Sequence, residues 1–286
     1  MRQKITKILK ISFIVICVIL TISIWTGGSH YFITSFLNES SDLASNDSAE
    51  LEDCNVYGIN IHGNIVSYHA NDAYNDQDKL TLDETSSDEV IGAVNKAQSA
   101  ENVKALIIEI DSGGGYPVAG EEIMRALKDS NKPVIAFIRS VGASAAYLAA
   151  TGAQTIFASK FSDVGSIGIT GSYLQETEKN KKEGLTYIDL SSGIYKDSGS
   201  PNRPLTEADK QIFMRDIKIG YEHFVNLVSQ NRNLSIEMVK KLADGSTIMG
   251  DAALKNGLID KIGLYPDAKK FISEKIGAPV IVCWQN

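Results

Sequence analysis

A serine, a lysine and a run of glycines are the residues of this chain whose types and spacing fit chemistry. Ser144 stands in Val141-Gly142-Ala143-Ser144-Ala145-Ala146-Tyr147, among residues too small to shield it. It follows the apolar stretch Pro133-Val134-Ile135-Ala136-Phe137-Ile138 and opens a helical run. A hydroxyl there lies at a helix N-terminus, where backbone N–H groups lack intrahelical partners. Such a serine either caps the helix or acts as a nucleophile.

A serine hydroxyl attacks a carbonyl only when a base takes its proton. None of the four histidines, His30, His62, His69 and His223, lies in a recognisable motif, so the candidate base is a lysine. Lys196 follows Ser191-Ser192-Gly193 in Tyr195-Lys196-Asp197. The competing reading is a solvated surface charge, as for most lysines. A lysine base must be neutral part of the time. Its ordinary pKa of about 10.4 must fall to roughly 7–8, which costs about 4 kcal/mol. Burial supplies such a shift by penalising the charged form. A fixed hydroxyl would then aim the amine, and Ser166 is available for that; its other reading is an ordinary turn serine.

Acyl transfer also needs N–H donors directed at the developing oxyanion. Asp111-Ser112-Gly113-Gly114-Gly115 follows a buried strand and presents bare backbone. The N–H groups of Gly114 and Ala145 form a candidate donor pair, and Gly113 and Gly115 flank them as candidate substrate-binding backbone. The glycines lack the Lys-Ser/Thr of a P-loop and fit GxGxxG poorly, so a phosphate cradle is disfavoured. A plain tight turn is the other reading.

These motifs need a scaffold of alternating strands and helices. Two short strands are expected at residues 55–61 and 64–68, with Gly63 as the turn between them. A polar loop follows, then a helix capped by Ser86 or Ser87, with Asp88 and Glu89 in its first turn. Strands are expected at residues 104–110, 133–138 and 155–158, with helices at about 117–128 and 145–150 between them. That alternation implies βαβ units and a mostly parallel sheet. Further on, a helix at 173–182 leads to a strand at 186–190. A long amphipathic helix, capped by Thr206, runs to about Asn231 with Phe213, Ile217, Tyr221, Phe224 and Val228 on its apolar stripe. Ser235 caps a short helix, and Gly257 stops another at 251–256.

The 286 residues carry a formal charge of −7 and no basic patch beyond the N-terminus, which argues against a nucleic-acid partner. The cysteines and histidines show no metal-ligand spacing, so zinc is not expected, and serine–lysine chemistry needs no metal or cofactor. Residues 1–10 are a basic, cytoplasmic N-terminus with Arg2, Lys4, Lys7 and Lys10. An uncharged apolar run follows, and residues 11–33 are read as a transmembrane signal anchor, with a cleaved signal peptide as the alternative. Residues 34–53 form an acidic, serine-bearing linker without a role in the chemistry. The folded domain then covers residues 54–286, outside the cytoplasm. Cys54 and Cys283 flank it and are candidates for a disulfide that the compartment permits; Cys17 falls in the apolar run.

Taken together, the motifs resemble peptidase family S49, the signal peptide peptidases of the SppA type. Asp111-Ser112-Gly113-Gly114-Gly115 resembles that family's Asn-Ser-Pro-Gly-Gly loop. Gly142-Ala143-Ser144-Ala145-Ala146-Tyr147 resembles its nucleophile turn, and Gly165-Ser166-Ile167-Gly168-Ile169 its Gly-Ser-Ile/Met-Gly-Val segment. Tyr195-Lys196-Asp197-Ser198-Gly199-Ser200-Pro201 resembles its lysine segment. Residues 250–263 resemble its C-terminal signature. The likeness spans roughly residues 54–277, with five motifs in the same order.

The resemblance implies a ClpP/crotonase-like α/β fold of repeated ββα and βαβ units behind an N-terminal transmembrane helix. It implies a Ser/Lys dyad, with Ser144 as nucleophile, Lys196 as general base and Ser166 holding the lysine. Gly114 and Ala145 would form the oxyanion hole. It also implies a membrane-bound homo-oligomer that hydrolyses signal peptide remnants and other peptides. Gly113 stands where the family has proline, Asp111 where it has asparagine, and Ala145 and Ala146 where it has glycines. Other readings of the same fold are a catalytically inactive scaffold and a crotonase-like acyl-CoA enzyme; a Ser-His-Asp peptidase is the weakest.

Overall fold

Apolar runs rich in isoleucine and valine build the centre of a parallel sheet, which buries its strands on both faces. The computed structural model describes residues 53–69 and 83–285. The residues read as a basic N-terminus and a signal anchor, almost all of the expected linker, and much of the polar loop before Glu84 lie outside the described residues. Among the described residues, no helix is long and apolar enough to cross a membrane. One compact unit runs from Cys54 onward.

In chain order the first elements are β1 (Val56–Val66), β2 (Glu84–Ser86), α1 (Ser87–Ser99), β3 (Ala105–Gly115) and α2 (Pro117–Lys128). Next come β4 (Val134–Ala143), α3 (Ala145–Ala150), β5 (Thr155–Ala158) and β6 (Asp163–Gly165). After these follow α4 (Thr177–Lys182), α5 (Glu207–Arg232), α6 (Ile236–Leu242), β7 (Thr247–Met249) and α7 (Gly250–Lys255). The last elements are β8 (Lys261–Ile262), α8 (Tyr265–Ile276) and β9 (Val282–Trp284). The strand order is β2-β1-β3-β4-β5-β8, and every pairing along that path is parallel. β6 extends the pairing of β4 beyond β5, and β7 lies antiparallel to it. The expected α/β class with a mostly parallel sheet is the one observed.

The two faces of the sheet are built from alternate residues, as the strand period requires. On one face Val56, Ala105, Ile107, Ile135, Phe137 and Phe157 pack against Ala268 and Ile272 of α8. Trp284 of β9 lies against Gly58, where a Cβ would meet the indole at 2.4 Å. β9 pairs with the start of β1, which brings Cys283 to Cys54; the two form a disulfide across 229 residues of sequence. On the other face Ile108, Ile110, Ile123, Leu127 and Tyr147 are fully buried.

Three local expectations differ from the structure. Gly63 does not turn the chain. β1 is one strand, and its register against β3 slips between His62 and Asn64. Gly63, at φ 63°, is the bulge residue, and a Cβ there would fall 1.7 Å from the Asp83 carbonyl oxygen. Second, residues 186–190 form no strand: no neighbouring edge pairs with them, and Leu190 is 93% exposed. Third, the helix expected from Tyr173 begins only at Thr177. The caps of the longer helices are as read. Ser86 accepts from the Glu89 N–H, and Thr206 forms a reciprocal capping box with Asp209.

Candidate active site

β4 ends at Ala143 and α3 begins at Ala145, so Ser144 takes the whole change of direction. Its backbone sits at φ 53° and ψ −124°, and its side chain makes no capping hydrogen bond. The capping role is therefore not the one Ser144 plays. A non-glycine residue in such a conformation costs about 1–3 kcal/mol and persists only where the surroundings hold it. Here the Ser144 N–H donates to the Gly165 carbonyl at 2.7 Å, and the Leu148 N–H donates to the Ser144 carbonyl at 3.0 Å. α3 is held in turn by Tyr147, whose buried hydroxyl donates to the Leu258 carbonyl at 2.9 Å; burial pushes its phenol pKa up. α2 crosses close by because Gly120 faces the Ala145 carbonyl, where a Cβ would lie 2.6 Å away.

The glycine loop lies directly against this serine. Gly114 has φ 109°, and a Cβ on it would fall 3.0 Å from the Ala145 nitrogen. The Ala145 N–H, first in its helix, has no intrahelical acceptor. The Gly114 N–H donates at 3.0 Å to Oγ of Ser112, which is itself buried and donates to the Gly63 carbonyl at 2.6 Å. In this conformation the expected oxyanion pair thus has one donor engaged inside the loop. Gly113 faces open space, with nothing within 4 Å of a Cβ position. Gly115 backs onto β1, where a Cβ would meet the Ile65 carbonyl oxygen at 2.1 Å.

Ser144 lines two clefts. The first, of about 470 Å³, is walled by Val118, Leu148, Ile169, Phe224 and Leu227. Glu121 and Arg125, ion-paired at 2.6 Å, and the exposed His223 also border it. The second, of about 400 Å³, joins Ser144 to Ser166, Thr170, Tyr221 and Gly245. Ser166 is at φ 49° and donates its hydroxyl to the Gly245 carbonyl at 2.8 Å, which leaves its oxygen able to accept. Ser144, Ser166, Ala145 and the glycine loop are therefore brought together.

Lys196 is exposed and lines neither of these two clefts. It lies in a turn whose backbone is closed by its own N–H donating to the Gly193 carbonyl at 3.0 Å. Arg203 and the buried Asp209 bind that turn to the start of α5, and sequence reasoning missed both. The Arg203 guanidinium, followed by Ser198 and Thr206, holds the Asp209 carboxyl far below the usual range. The available signal was Asp209 three residues after Thr206, an acidic capping box with an arginine just upstream. His223 was also missed; its place beside Gly220, Phe224 and Leu227 on one face of α5 was legible from helical spacing. Among the described residues, no group of three or more His, Cys, Asp or Glu side chains is placed to hold a metal ion.

A strained serine between a parallel strand and a helix, backed by a glycine loop, defines a class of hydrolase-like sites, and comparison with known proteins narrows it. The model of peptidase family S49 matches residues 126–278, a range containing Ser144, Ser166 and Lys196. The chain belongs to peptidase family S49. It is 34% identical over 196 residues to a putative protease of Methanocaldococcus jannaschii, covering 67% of this chain and 63% of that protein. It is 33% identical to a putative signal peptide peptidase SppA of Enterococcus faecium, covering 61% of this chain and 52% of that protein. The chain thus spans between half and two thirds of the length of these relatives. Among solved structures, a mutant of the 1510-N membrane-bound stomatin-specific protease, in complex with a substrate peptide, shares the fold. Its TM-score is 0.53 and its identity 20%, over 82% of this chain and 94% of that one.

Proposed function

We propose that this chain is a serine endopeptidase in which Ser144 attacks the scissile carbonyl and Lys196 accepts its proton. The lysine returns that proton to the leaving amine, and water activated through the same amine hydrolyses the acyl-enzyme. The observation that carries the reading is the Ser144 backbone: strained, uncapped, and set beside the Gly114 loop and the first N–H of the helix, that of Ala145. Gly114 and Ala145 serve as oxyanion donors and Ser166 as the hydroxyl that holds the lysine. The glycine loop, including Gly113 and Gly115, borders an extended substrate.

The dyad requires Lys196 to reach Ser144, and burial of the amine to make it neutral. Its segment exposes Leu185, Ile188, Leu190, Ile194 and Tyr195. Such a cluster favours a homo-oligomer in which a second copy covers the segment and the clefts are completed across the interface. The reading also includes a single-pass membrane anchor at 11–33, a catalytic domain outside the cytoplasm, and signal peptide remnants or other peptides as substrates. The Cys54–Cys283 disulfide supports an oxidising compartment. The name of the Enterococcus faecium relative supports the substrate class.

A second reading, an inert peptide-binding scaffold, is favoured by the exposure of Lys196 and the engaged Gly114 N–H. Labelling with a serine-directed β-lactone, followed by mass mapping, separates the two. The peptidase reading expects the label on Ser144, and a loss of peptide hydrolysis on the order of 10³-fold in both Ser144→Ala and Lys196→Ala. Undiminished hydrolysis in either variant rejects the dyad.

A further inference from the structure

One guanidinium ties down the turn that carries Lys196. Arg203 Nε donates to Asp197 Oδ2 at 2.9 Å and Nη2 to the Asp197 carbonyl at 2.9 Å. Its Nη1 donates to Asp209 Oδ2 at 2.6 Å, and its Nη2 to Asp209 Oδ1 at 3.2 Å. The other oxygen of Asp197, Oδ1, accepts from the Tyr187 hydroxyl at 2.7 Å. Both carboxylate oxygens of Asp197 are therefore taken by groups other than the lysine beside it in sequence. Asp209, 1% exposed, is the anchor of the cluster, because it also accepts from Ser198 Oγ at 2.6 Å and from the Thr206 N–H at 3.0 Å.

We propose that Arg203 is a positioning residue for the general base: it captures Asp197, keeps that carboxylate from pairing with the Lys196 amine, and fixes the turn to α5. The inference rests on Lys196 being the base. An adjacent free carboxylate would stabilise the ammonium form, which cannot accept a proton. Only a planar, permanently charged fork reaches two carboxylates and a carbonyl at once, so an ammonium in its place would not substitute. Two further charged groups near the turn are engaged elsewhere. Arg215 pairs with Asp216 at 2.8 Å beside Tyr195, and Asp189, which faces Tyr187, accepts from Ser191 Oγ.

The test follows hydrolysis of a fluorogenic peptide, across pH, for the full chain. Arg203→Gln is expected to lower kcat about 10- to 100-fold with little change in KM. It is also expected to move the acid limb of the profile up by roughly one pH unit. Adding Asp197→Asn to that variant should return the limb to the wild-type position, a rescue that a merely structural arginine would not show. A limb unmoved in Arg203→Gln, or not restored in the double variant, overturns the proposal. If Arg203→Gln does not fold, Asp197→Asn alone decides. Its limb should lie at or below the wild-type pH, and a limb above it overturns the proposal. Lys196→Ala separates the failures: full activity there rejects the dyad itself, whereas an inactive Lys196→Ala beside an unmoved Arg203→Gln limb rejects only the role of Arg203.

Discussion

Gly114 touches Ser144 so closely that a Cβ at 114 would fall 2.8 Å from the Ser144 Cβ. The contact joins the two motifs that the sequence separates by a whole helix and strand. It makes position 114 a glycine by sterics as well as by its φ of 109°. Gly114→Ala should therefore cut Ser144 labelling and peptide hydrolysis by on the order of 10²-fold, the scale of a displaced oxyanion donor. The variant should still fold, with stability lowered by about 1–3 kcal/mol. Wild-type activity in Gly114→Ala would show that the loop does not face the reacting serine.

Ser112 is the hinge between that loop and the bulge of β1. Its hydroxyl links the Gly63 carbonyl to the Gly114 N–H. Ser112→Ala leaves a carbonyl without its donor, at a cost of about 1–3 kcal/mol, measurable by denaturant titration. It also frees the Gly114 N–H, so labelling by a small β-lactone should quicken up to about tenfold. Slower labelling of a folded Ser112→Ala protein would mean that Gly114 serves the oxyanion only while Ser112 holds it.

The Cys54–Cys283 bond closes nearly the entire folded unit, across 229 residues of sequence. Long loops gain the most from such a link, so Cys283→Ser should cost about 2–5 kcal/mol, seen as a lower Tm. Two titratable thiols in the unreduced, purified protein, with equal mobility on reducing and non-reducing gels, would contradict the pairing.

Asp209 makes the cluster under the Lys196 turn sensitive to acid. Its folded pKa is depressed, first by Arg203 and then by Ser198 and Thr206. Its contribution is therefore fully present above the ordinary carboxylate value of 3.8 and is lost as pH falls below that toward the folded value. Asp209→Asn should flatten the acid side of the stability profile in that window, measured by Tm against pH. An unchanged slope below the ordinary carboxylate value would show that the carboxylate is not the charged partner of Arg203.

Most of the scaffold was legible because its signals are local. Residues 105–110, 134–138 and 155–158 are apolar runs of strand length, and Ser86, Thr206 and Ser235 are hydroxyls placed to cap. The failures share a cause. Gly63 carries the same positive φ in a bulge as in a turn, so nothing in His62-Gly63-Asn64 tells one from the other. Residues 186–190 have strand composition, but a strand needs an edge to pair with, and none lies beside them in the chain.

The site divides in the same way. Sequence alone determined which residue types can do acyl chemistry, in which order they occur, and that Ser144 opens a helix, because these depend on residue identity and short-range spacing. Tertiary structure decided that the hydroxyl does not cap that helix, that Gly114 is pressed against it with its N–H turned toward Ser112, and that Arg203 binds Asp197 and Asp209 together. Those facts arise from groups distant in sequence competing for the same few hydrogen bonds, and that competition is settled only when the strands and helices are packed.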